Sequence, residues 1–316
     1  MIQFDVKTAF LYGELEETIF ITPPEGLPCE ENMVCKLNKS LYGLKQAPRC
    51  WNNKFNSVFN KFGFVNSKAD QCVYVGLVNE KKCYLCLYVD DGLLFSTDDC
   101  ALQEITKELR TVFEIKVNDP SNFVGMQIEI LNDCIFIHQI KYIEQMLKKV
   151  NMVDVNTNIV PVDPRMKLQK GEREPDKNIP YREAVGSLMH LAIVSRPDII
   201  IAISLVSRFL NCYTQMHWSA VKRIFKYLKT SKDYGISYRK STQTSITGYS
   251  DADYANDLDT CRSITSYVFM KSGAAVTWSS QKQQTVALST TEAEFMAACA
   301  GHIGPSLRQS KCHQCH

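Results

Sequence analysis

The chain has 316 residues, of which 45% are hydrophobic and 22% are charged, a composition that excludes global disorder and allows two or three domains. It contains no apolar run long enough to span a membrane, and its start, MIQFDVKTAF, lacks the layout of a signal peptide. Thirteen scattered cysteines fit reduced thiols. We therefore expect an intracellular, cytoplasmic protein without a membrane partner.

The net charge of +2 hides an uneven distribution along the chain. Residues 1–135 carry 13 Lys and Arg against 19 Asp and Glu, whereas residues 136–240 carry 18 against 9. The remaining residues, 241–316, are nearly neutral, with 5 against 6. A basic middle segment indicates a polyanionic partner, although basic faces are also often only solvated.

Apolar periodicity predicts alternating strands and helices in the first 140 residues. Residues 2–6 are expected to form a strand that enters a helical turn ending at Gly13. Apolar side chains at helical spacing from Trp51 to Phe62 predict a helix. The other predicted elements are strands at 83–89 and 92–96, a helix around residues 102–112, and a hairpin at 122–131 and 134–139.

The order strand, helix, strand pair, helix, strand is typical of a ferredoxin-like α+β fold. It can bring Asp5, at the end of the first strand, beside Asp90 and Asp91 at the hairpin tip. Read locally, the YVDD sequence predicts only a tight turn, since Asp and Gly tolerate positive φ. Carboxylates converging at strand ends are, however, also the ligands that a pair of Mg²⁺ ions needs for in-line phosphoryl transfer.

The rest of the chain divides at a segment with little periodicity. Residues 154–180 contain four prolines and many charges and are predicted to be a linker. Helices are expected at 181–195, 198–212 and 216–230, and a strand-rich segment begins near residue 244.

Several long motifs resemble one known family. FDVKTAFLYGEL, KSLYGLKQAPRCWNNKF, YVDD, YREAVGSLMHLAIVSRPDI and HWSAVKRIFKYLK are similar to the reverse transcriptase of Pol polyproteins from copia-type LTR retrotransposons. GYSDADYA and VALSTTEAEFMA resemble the start of the ribonuclease H domain that follows it. The resemblance implies a ferredoxin-like polymerase palm at 1–153, a mainly helical thumb and connection at 154–240, and a truncated ribonuclease H-like mixed α/β domain at 241–316.

The resemblance also implies an RNA-directed DNA polymerase acting on an RNA/DNA template–primer and deoxynucleotides. It assigns two Mg²⁺ ions to Asp5, Asp90 and Asp91. Phe10 would lie under the incoming sugar and clash with a ribose 2′-OH; simple core packing is the alternative. The motif that lines the nucleotide and template pocket contains Tyr42, Gly43 and Lys45, of which Lys45 is alternatively a solvated surface charge.

Two further groups of residues follow from the resemblance. In the thumb, the basic side chains on one helix would contact phosphates of the duplex, and the alternative is a solvated face; these are Lys222, Arg223, Lys226 and Lys229. In the ribonuclease H portion, Asp251 and Glu294 match two of the family's carboxylates. Glu292 instead fits a capping box that begins at Ser289.

The sequence departs from the family pattern at both ends. It begins four residues before Asp5, without the fingers segment that holds the triphosphate, and FMAACAGHIGPSLRQSKCHQCH after Glu294 contains no Asp or Glu. We therefore expect negligible nucleotide incorporation and no ribonuclease H activity from this chain alone. The missing remainder of a Pol polyprotein, in a virus-like particle, would restore the enzyme; the alternative is a decayed copy that retains at most non-specific nucleic-acid binding.

The tail contains Cys312-x-x-Cys315-His316. This spacing superficially matches haem attachment, and two Cys with two His could also bind zinc. Appended sequence unrelated to the family is the interpretation that we favour.

Overall fold

The computed structural model describes residues 1–28, 30, 32–163, 165–171, 174–241 and 245–311, with side chains up to residue 302. The predicted Cys312-x-x-Cys315-His316 motif lies outside these residues. The chain is a mixed α/β protein that forms two compact units, Met1–Val124 and Gly125–His316. Within the described part, no helix combines the length and apolarity that crossing a membrane requires.

The first unit contains nine strands and two α-helices among its described residues. The strands are β1 (Ile2–Val6), β2 (Phe20–Ile21), β3 (Cys35–Lys36), β4 (Val65–Asn66), β5 (Val73–Val78), β6 (Lys81–Tyr88), β7 (Asp91–Ser96), β8 (Ile115–Asn118) and β9 (Asn122–Phe123). The helices are α1 (Ala47–Lys61) and α2 (Asp99–Val112), and a 3-10 helix spans Ala9–Tyr12.

Six of these strands form one antiparallel sheet in the order β4-β5-β6-β7-β1-β8. Alternate residues of β6 separate its two faces, because Leu85 and Leu87 are buried whereas Tyr84 and Tyr88 are exposed. The buried face packs under α1 and α2, whose apolar stripes supply residues such as Phe55 to the same core.

The structure confirms the strand over 2–6, the helical turn before Gly13, the helix from Trp51, the paired strands around YVDD and the helix after them. The prediction was wrong about the strand that completes this sheet. Beside β1 lies β8, which the sequence analysis missed, whereas the predicted hairpin belongs to the second unit as β10 (Met126–Ile130) and β11 (Cys134–His138). With only four residues, β8 is too short to give a clear alternating pattern.

The second unit joins a helical core to two antiparallel sheets. β12 (Ile236–Arg239) pairs with β11, and β13 (Thr247–Asp253), β14 (Ile264–Lys271) and β15 (Ala274–Lys282) form a separate sheet in the order β13-β14-β15. The remaining elements are α3 (Ile140–Lys149), α4 (Tyr181–Val194), α5 (Ile200–Val206), α6 (Gln215–Thr230) and α7 (Thr290–Lys311), with 3-10 turns at Pro197–Ile199 and Ser207–Phe209.

The segment at 154–180 has neither helix nor strand in its described residues, as the prolines predicted. It is nevertheless not a free linker. Val155, Met166 and Leu168 pack against the helical core formed by α3 to α6. The apolar side chains scattered through this segment therefore fix its path over the helices.

Candidate active site

The YVDD sequence forms a two-residue turn between β6 and β7. Tyr88 and Asp91 are the last paired residues of the two strands, so Val89 and Asp90 make the turn itself. Val89 has a φ of 57°, in the left-handed region. This conformation is uncommon for any residue other than glycine and is strained for a β-branched one.

Asp5 lies directly across from Asp91 on the neighbouring strand β1. The Val6 amide donates to the Asp90 carbonyl at 2.8 Å, which makes Asp5 and Asp91 a non-hydrogen-bonded pair, the closer of the two pair types in an antiparallel ladder. Phe4 and Val6, the sequence neighbours of Asp5, are buried under the helices. Asp5 and Asp91 therefore share the opposite face of the sheet.

The charges around this pair are poorly compensated. The pKa of Asp91 is raised above its usual value by burial, by the charge of Asp5 and by the charge of Asp90, while a hydrogen bond with Gln3 acts in the opposite direction. Lys116 of β8 lies across from Asp5 on its other side and is the nearest cation in register. Like charges at a cross-strand pair are unfavourable without a counter-charge.

The donor chemistry of the site fits a hard cation, because carboxylate oxygens are the ligands that Mg²⁺ prefers. Among the residues with described positions, no three His, Cys, Asp or Glu side chains are already arranged to hold a metal ion. Asp5 and Asp91 are neighbours across the ladder, and Asp90 lies in the adjoining turn.

A contact that the sequence analysis missed connects α1 to the turn. The Trp51 indole Nε1 donates to the Val89 carbonyl oxygen at 2.6 Å. Trp51 was assigned only to the apolar stripe of its helix, where it does lie, with 2% of its surface exposed. The available signal was its polar edge, since a buried indole N–H usually finds an acceptor.

Two residues predicted for the nucleotide pocket contact each other. The rings of Phe10 and Tyr42 have centroids 4.6 Å apart, and Tyr42 remains half exposed. Gly43 has a φ of 98°, which explains glycine at this position. Lys45 is exposed. Phe10 also packs on the core, so the alternative of core packing holds for part of its surface.

The four basic residues on α6 fall into two groups. Nη1 of Arg223 lies 3.7 Å from Oδ2 of Asp163, and Nζ of Lys229 donates to the Val155 carbonyl at 2.9 Å. The ammonium groups of Lys222 and Lys226 have no ion-pair partner in the described part of the chain. Only these two lysines are thus without a competing internal contact.

The two carboxylates that the resemblance assigned to ribonuclease H lie on neighbouring elements of the second unit. Asp251 is on β13 opposite Ser266, Glu294 is on α7, and both carboxylates are on exposed residues. The helix packs on this strand, since a Cβ added to Gly301 would lie 3.7 Å from that of Ser250.

The expected helix cap before α7 is present in a modified form. The Glu292 amide donates to Ser289 Oγ at 3.1 Å, as in a capping box. The Glu292 carboxylate accepts from the Leu288 amide at 2.6 Å instead of from the amide of Ser289. Glu292 therefore has a structural partner of its own.

Comparison with known proteins identifies related sequences over nearly the whole chain. A family model described as "Reverse transcriptase (RNA-dependent DNA polymerase)" matches residues 1–164. The Pol polyprotein from transposon TNT 1-94 of Nicotiana tabacum is 41% identical over 309 residues, which are 94% of this chain and 23% of that protein. The Pol polyprotein from transposon RE1 of Arabidopsis thaliana is 35% identical over 298 residues, covering 93% and 20%.

A shorter relative matches from end to end. The putative transposon Ty5-1 protein of Saccharomyces cerevisiae is 31% identical over 300 residues, covering 93% of this chain and 97% of the relative. By contrast, the chain spans only about a fifth of the length of each of the two plant polyproteins. The family model covers more than half of the 316 residues. On these grounds the chain belongs to the reverse transcriptase (RNA-dependent DNA polymerase) family, within the Pol polyproteins of copia-like retrotransposons.

Proposed function

We propose that this chain carries the polymerase site of an RNA-directed DNA polymerase, with Asp5, Asp90 and Asp91 as its metal ligands. One observation carries the proposal: Asp5 and Asp91 form a close cross-strand pair on the face of the sheet that the helices leave open. A cross-strand carboxylate pair of this kind costs stability, which a bound divalent cation would offset.

Mg²⁺ would be held by Asp5 and Asp91 together with Asp90. When bound, it supplies the charge that stabilises the attacking and leaving oxygens in phosphoryl transfer. The residues of the chain itself position this charge. The β1–β7 ladder fixes Asp5 against Asp91, and two hydrogen bonds hold the turn, from the Trp51 indole to the Val89 carbonyl and from the Val6 amide to the Asp90 carbonyl.

The domain assignment rests on the order of the elements. The order β8-β1-β7-β6, with α1 and α2 on one face, is that of a ferredoxin-like βαββαβ unit and supports a polymerase palm in the first unit. We extend the palm to 1–153 on the resemblance to the family. We assign the helices of 154–240 to the thumb and connection. The sheet β13-β14-β15 with α7 supports a ribonuclease H-like portion over 241–316.

The same assignment gives substrate-binding roles to two groups of residues. Phe10, Tyr42, Gly43 and Lys45 would bind the deoxynucleotide, which the contact between Phe10 and Tyr42 supports. The basic residues of α6 would bind the template–primer through its phosphates, a sequence-independent contact.

Primer extension on an RNA template tests the proposal. Any Mg²⁺-dependent incorporation of deoxynucleotides, which is expected to be weak for this chain alone, should be abolished by Asp90→Asn or Asp91→Asn. Asp133→Asn, at an exposed acidic residue between β10 and β11, should leave it unchanged. Extension that persists in both active-site variants would refute the assignment of the carboxylates.

A second candidate function is nucleic-acid binding without synthesis, as in a decayed copy. The excess of 18 Lys and Arg over 9 Asp and Glu in residues 136–240 favours it, since phosphate contacts require no catalytic carboxylate. Salt-sensitive binding of duplexes by a chain that fails to extend any primer would support this candidate over the first.

A further inference from the structure

We propose that Trp51 is a positioning residue for the YVDD turn: its indole N–H holds the Val89 carbonyl so that Asp90 and Asp91 stay in register with Asp5. The structural part of this inference stands on geometry alone. Its consequence for catalysis rests on the proposed polymerase function.

The hydrogen bond itself is short and shielded. The distance from Trp51 Nε1 to the Val89 oxygen is 2.6 Å, and Trp51 is 2% exposed. Water therefore competes poorly for the indole N–H, and loss of the bond would leave a buried donor unsatisfied. The bond joins residues 38 positions apart, so it depends on the fold and not on local sequence.

The turn requires an external restraint because its first residue is strained. Val89 is β-branched and adopts a φ of 57°, a conformation that persists only where the surroundings enforce it. Its side chain is 41% exposed, so burial of the isopropyl group supplies little of that enforcement. The two described restraints are hydrogen bonds to consecutive carbonyls, from Trp51 to Val89 and from Val6 to Asp90.

Trp51 is itself held rigidly, as an anchor must be. Its ring lies 5.3 Å from Phe55, 5.3 Å from Phe113 and 6.2 Å from Tyr12, measured between centroids. The Tyr12 hydroxyl in turn accepts from the Glu114 amide at 2.9 Å. Aromatic contacts on several sides leave the indole few alternative orientations.

This arrangement connects helix packing to the geometry of the carboxylates. The amide that donates to the Asp90 carbonyl belongs to Val6, the residue after Asp5. Correct placement of the turn therefore fixes the positions of Asp5, Asp90 and Asp91 relative to one another. Displacement of the Val89 carbonyl would release this register while the core below remained packed. A misplacement of about 1 Å in such a site can cost about 100-fold in rate.

Hydrogen exchange in the full-length chain tests the structural part without metal or substrate. If one opening of the turn releases both protons, the Trp51 indole N–H and the Val6 amide should show the same opening free energy, obtained from their protection factors. In Trp51→Phe, which keeps an aromatic ring but lacks the N–H, Val6 exchange should rise roughly tenfold. Unequal opening free energies in the native chain would overturn the inference even if the variant failed to fold.

Trp278→Phe is the matched control. Trp278 Nε1 also donates to a backbone carbonyl, that of Ala192, at 2.8 Å and is likewise buried, but it lies in the second unit. This variant should leave Val6 exchange unchanged.

A second experiment uses Val89→Gly, since glycine adopts a positive φ without strain. In that background, Trp51→Phe should accelerate Val6 exchange less than in the native chain. An equal acceleration in both backgrounds would overturn the role assigned to the strained turn.

Primer extension separates this inference from the proposed function. Trp51→Phe should lower kcat roughly tenfold or more while leaving KM for the template–primer nearly unchanged, because the turn does not hold the duplex. If the native chain neither extends a primer nor gains thermal stability from Mg²⁺, the proposed function fails while the exchange result still decides the positioning role. If the native chain is active and Trp51→Phe changes neither kcat nor Val6 exchange, the inference is wrong.

Discussion

Arg196 donates hydrogen bonds to the carboxylate of Asp198 from Nε, at 2.9 Å to Oδ1 and 3.2 Å to Oδ2, and from Nη2, at 2.6 Å to Oδ2. Its guanidinium also donates to the carbonyl and the hydroxyl of Ser231 at the end of α6, and the Tyr227 hydroxyl completes the network by donating to Asp198. Arg196 is 1% exposed. Through these hydrogen bonds, the buried Arg196 guanidinium connects the α4–α5 junction to α6, the helix with the basic residues.

Replacement of Arg196 by Met should destabilise the second unit by about 3 kcal/mol, because Asp198 loses its counter-charge and keeps only the Tyr227 hydroxyl as donor, while the Ser231 carbonyl keeps only the Tyr234 amide. Arg165→Met is the control. Its side chain is 96% exposed and lies 3.9 Å from Asp163, so its loss should change stability by less than about 0.5 kcal/mol. Urea unfolding of both variants provides the comparison, and equal stabilities would contradict a structural role for the hydrogen bonds of Arg196.

The Asp5–Asp91 pair predicts a variant that is more stable than the native chain. The raised pKa of Asp91 in the folded state means that stability falls as pH rises from about 4, and the loss persists above the folded pKa. Asp5→Asn removes one of the charges responsible. Without divalent ions, this variant should be more stable at pH 7 by about 0.2–1 kcal/mol.

Thermal unfolding with and without Mg²⁺ measures this effect. Mg²⁺ should raise the Tm of the native chain more than that of Asp5→Asn, since the variant offers one carboxylate fewer. Asp133→Asn should behave as the native chain. If Asp5→Asn is less stable in the absence of metal, the two carboxylates do not repel each other in the way that the register implies.

The sequence was sufficient to predict the candidate carboxylates but not their support. Asp5, Asp90 and Asp91 could be found because each ends or joins a strand with a strong apolar pattern. Trp51 satisfied the helical pattern equally well with or without its bond to Val89, so the contact was visible only in the tertiary structure. Local patterns carry no information about which buried polar atom meets which distant carbonyl.

The same limit applies to the short and irregular elements. β8 has too few residues to define a period, and its place beside β1 depends on long-range pairing. The basic stripe of α6 was correctly placed on a helix, but the partner of Arg223 comes from the irregular segment that precedes α4. Composition identified that segment as irregular without indicating that it packs on the helices.

The burial of His217 leads us to expect a loss of stability in mild acid. The imidazole is fully buried, its Nδ1 accepts from the Thr214 amide at 3.0 Å, and burial lowers its pKa despite the opposing influence of Asp259 and of the Gln169 backbone. The unfolded chain therefore binds a proton at about pH 6.5 before the folded chain does. Stability should be fully present above that pH and fall as the pH drops below it.

His217→Asn keeps an acceptor near the position of Nδ1 but does not titrate. Its free energy of unfolding should depend less on pH between about 7 and 5 than that of the native chain, measured by urea unfolding. His190→Asn, at an exposed histidine that contacts Tyr142, serves as the control and should keep the native pH dependence. Parallel curves for the native chain and His217→Asn would show that this imidazole does not control acid stability.

The two groups of basic residues on α6 predict different results for nucleic-acid binding. Lys222 and Lys226 are available for phosphates, so replacing both with Ala should reduce the log–log salt dependence of duplex binding by about 0.9 per lost contact. The affinity should fall similarly for all sequences, since phosphates carry no base information. Arg223→Ala with Lys229→Ala should lower stability instead, because these side chains hold Asp163 and the Val155 carbonyl.

Fluorescence anisotropy with one labelled duplex at several salt concentrations distinguishes these outcomes, and urea unfolding of each double variant supplies the stability. A control with Lys81 and Lys82 replaced by Ala removes the same charge from exposed residues at the start of β6, so it separates net charge from position. If the control reduces the salt dependence as much as the Lys222 and Lys226 pair, the effect is one of overall charge. A larger reduction from the Arg223 and Lys229 pair would instead mean that these residues exchange their internal partners for phosphates when the duplex binds.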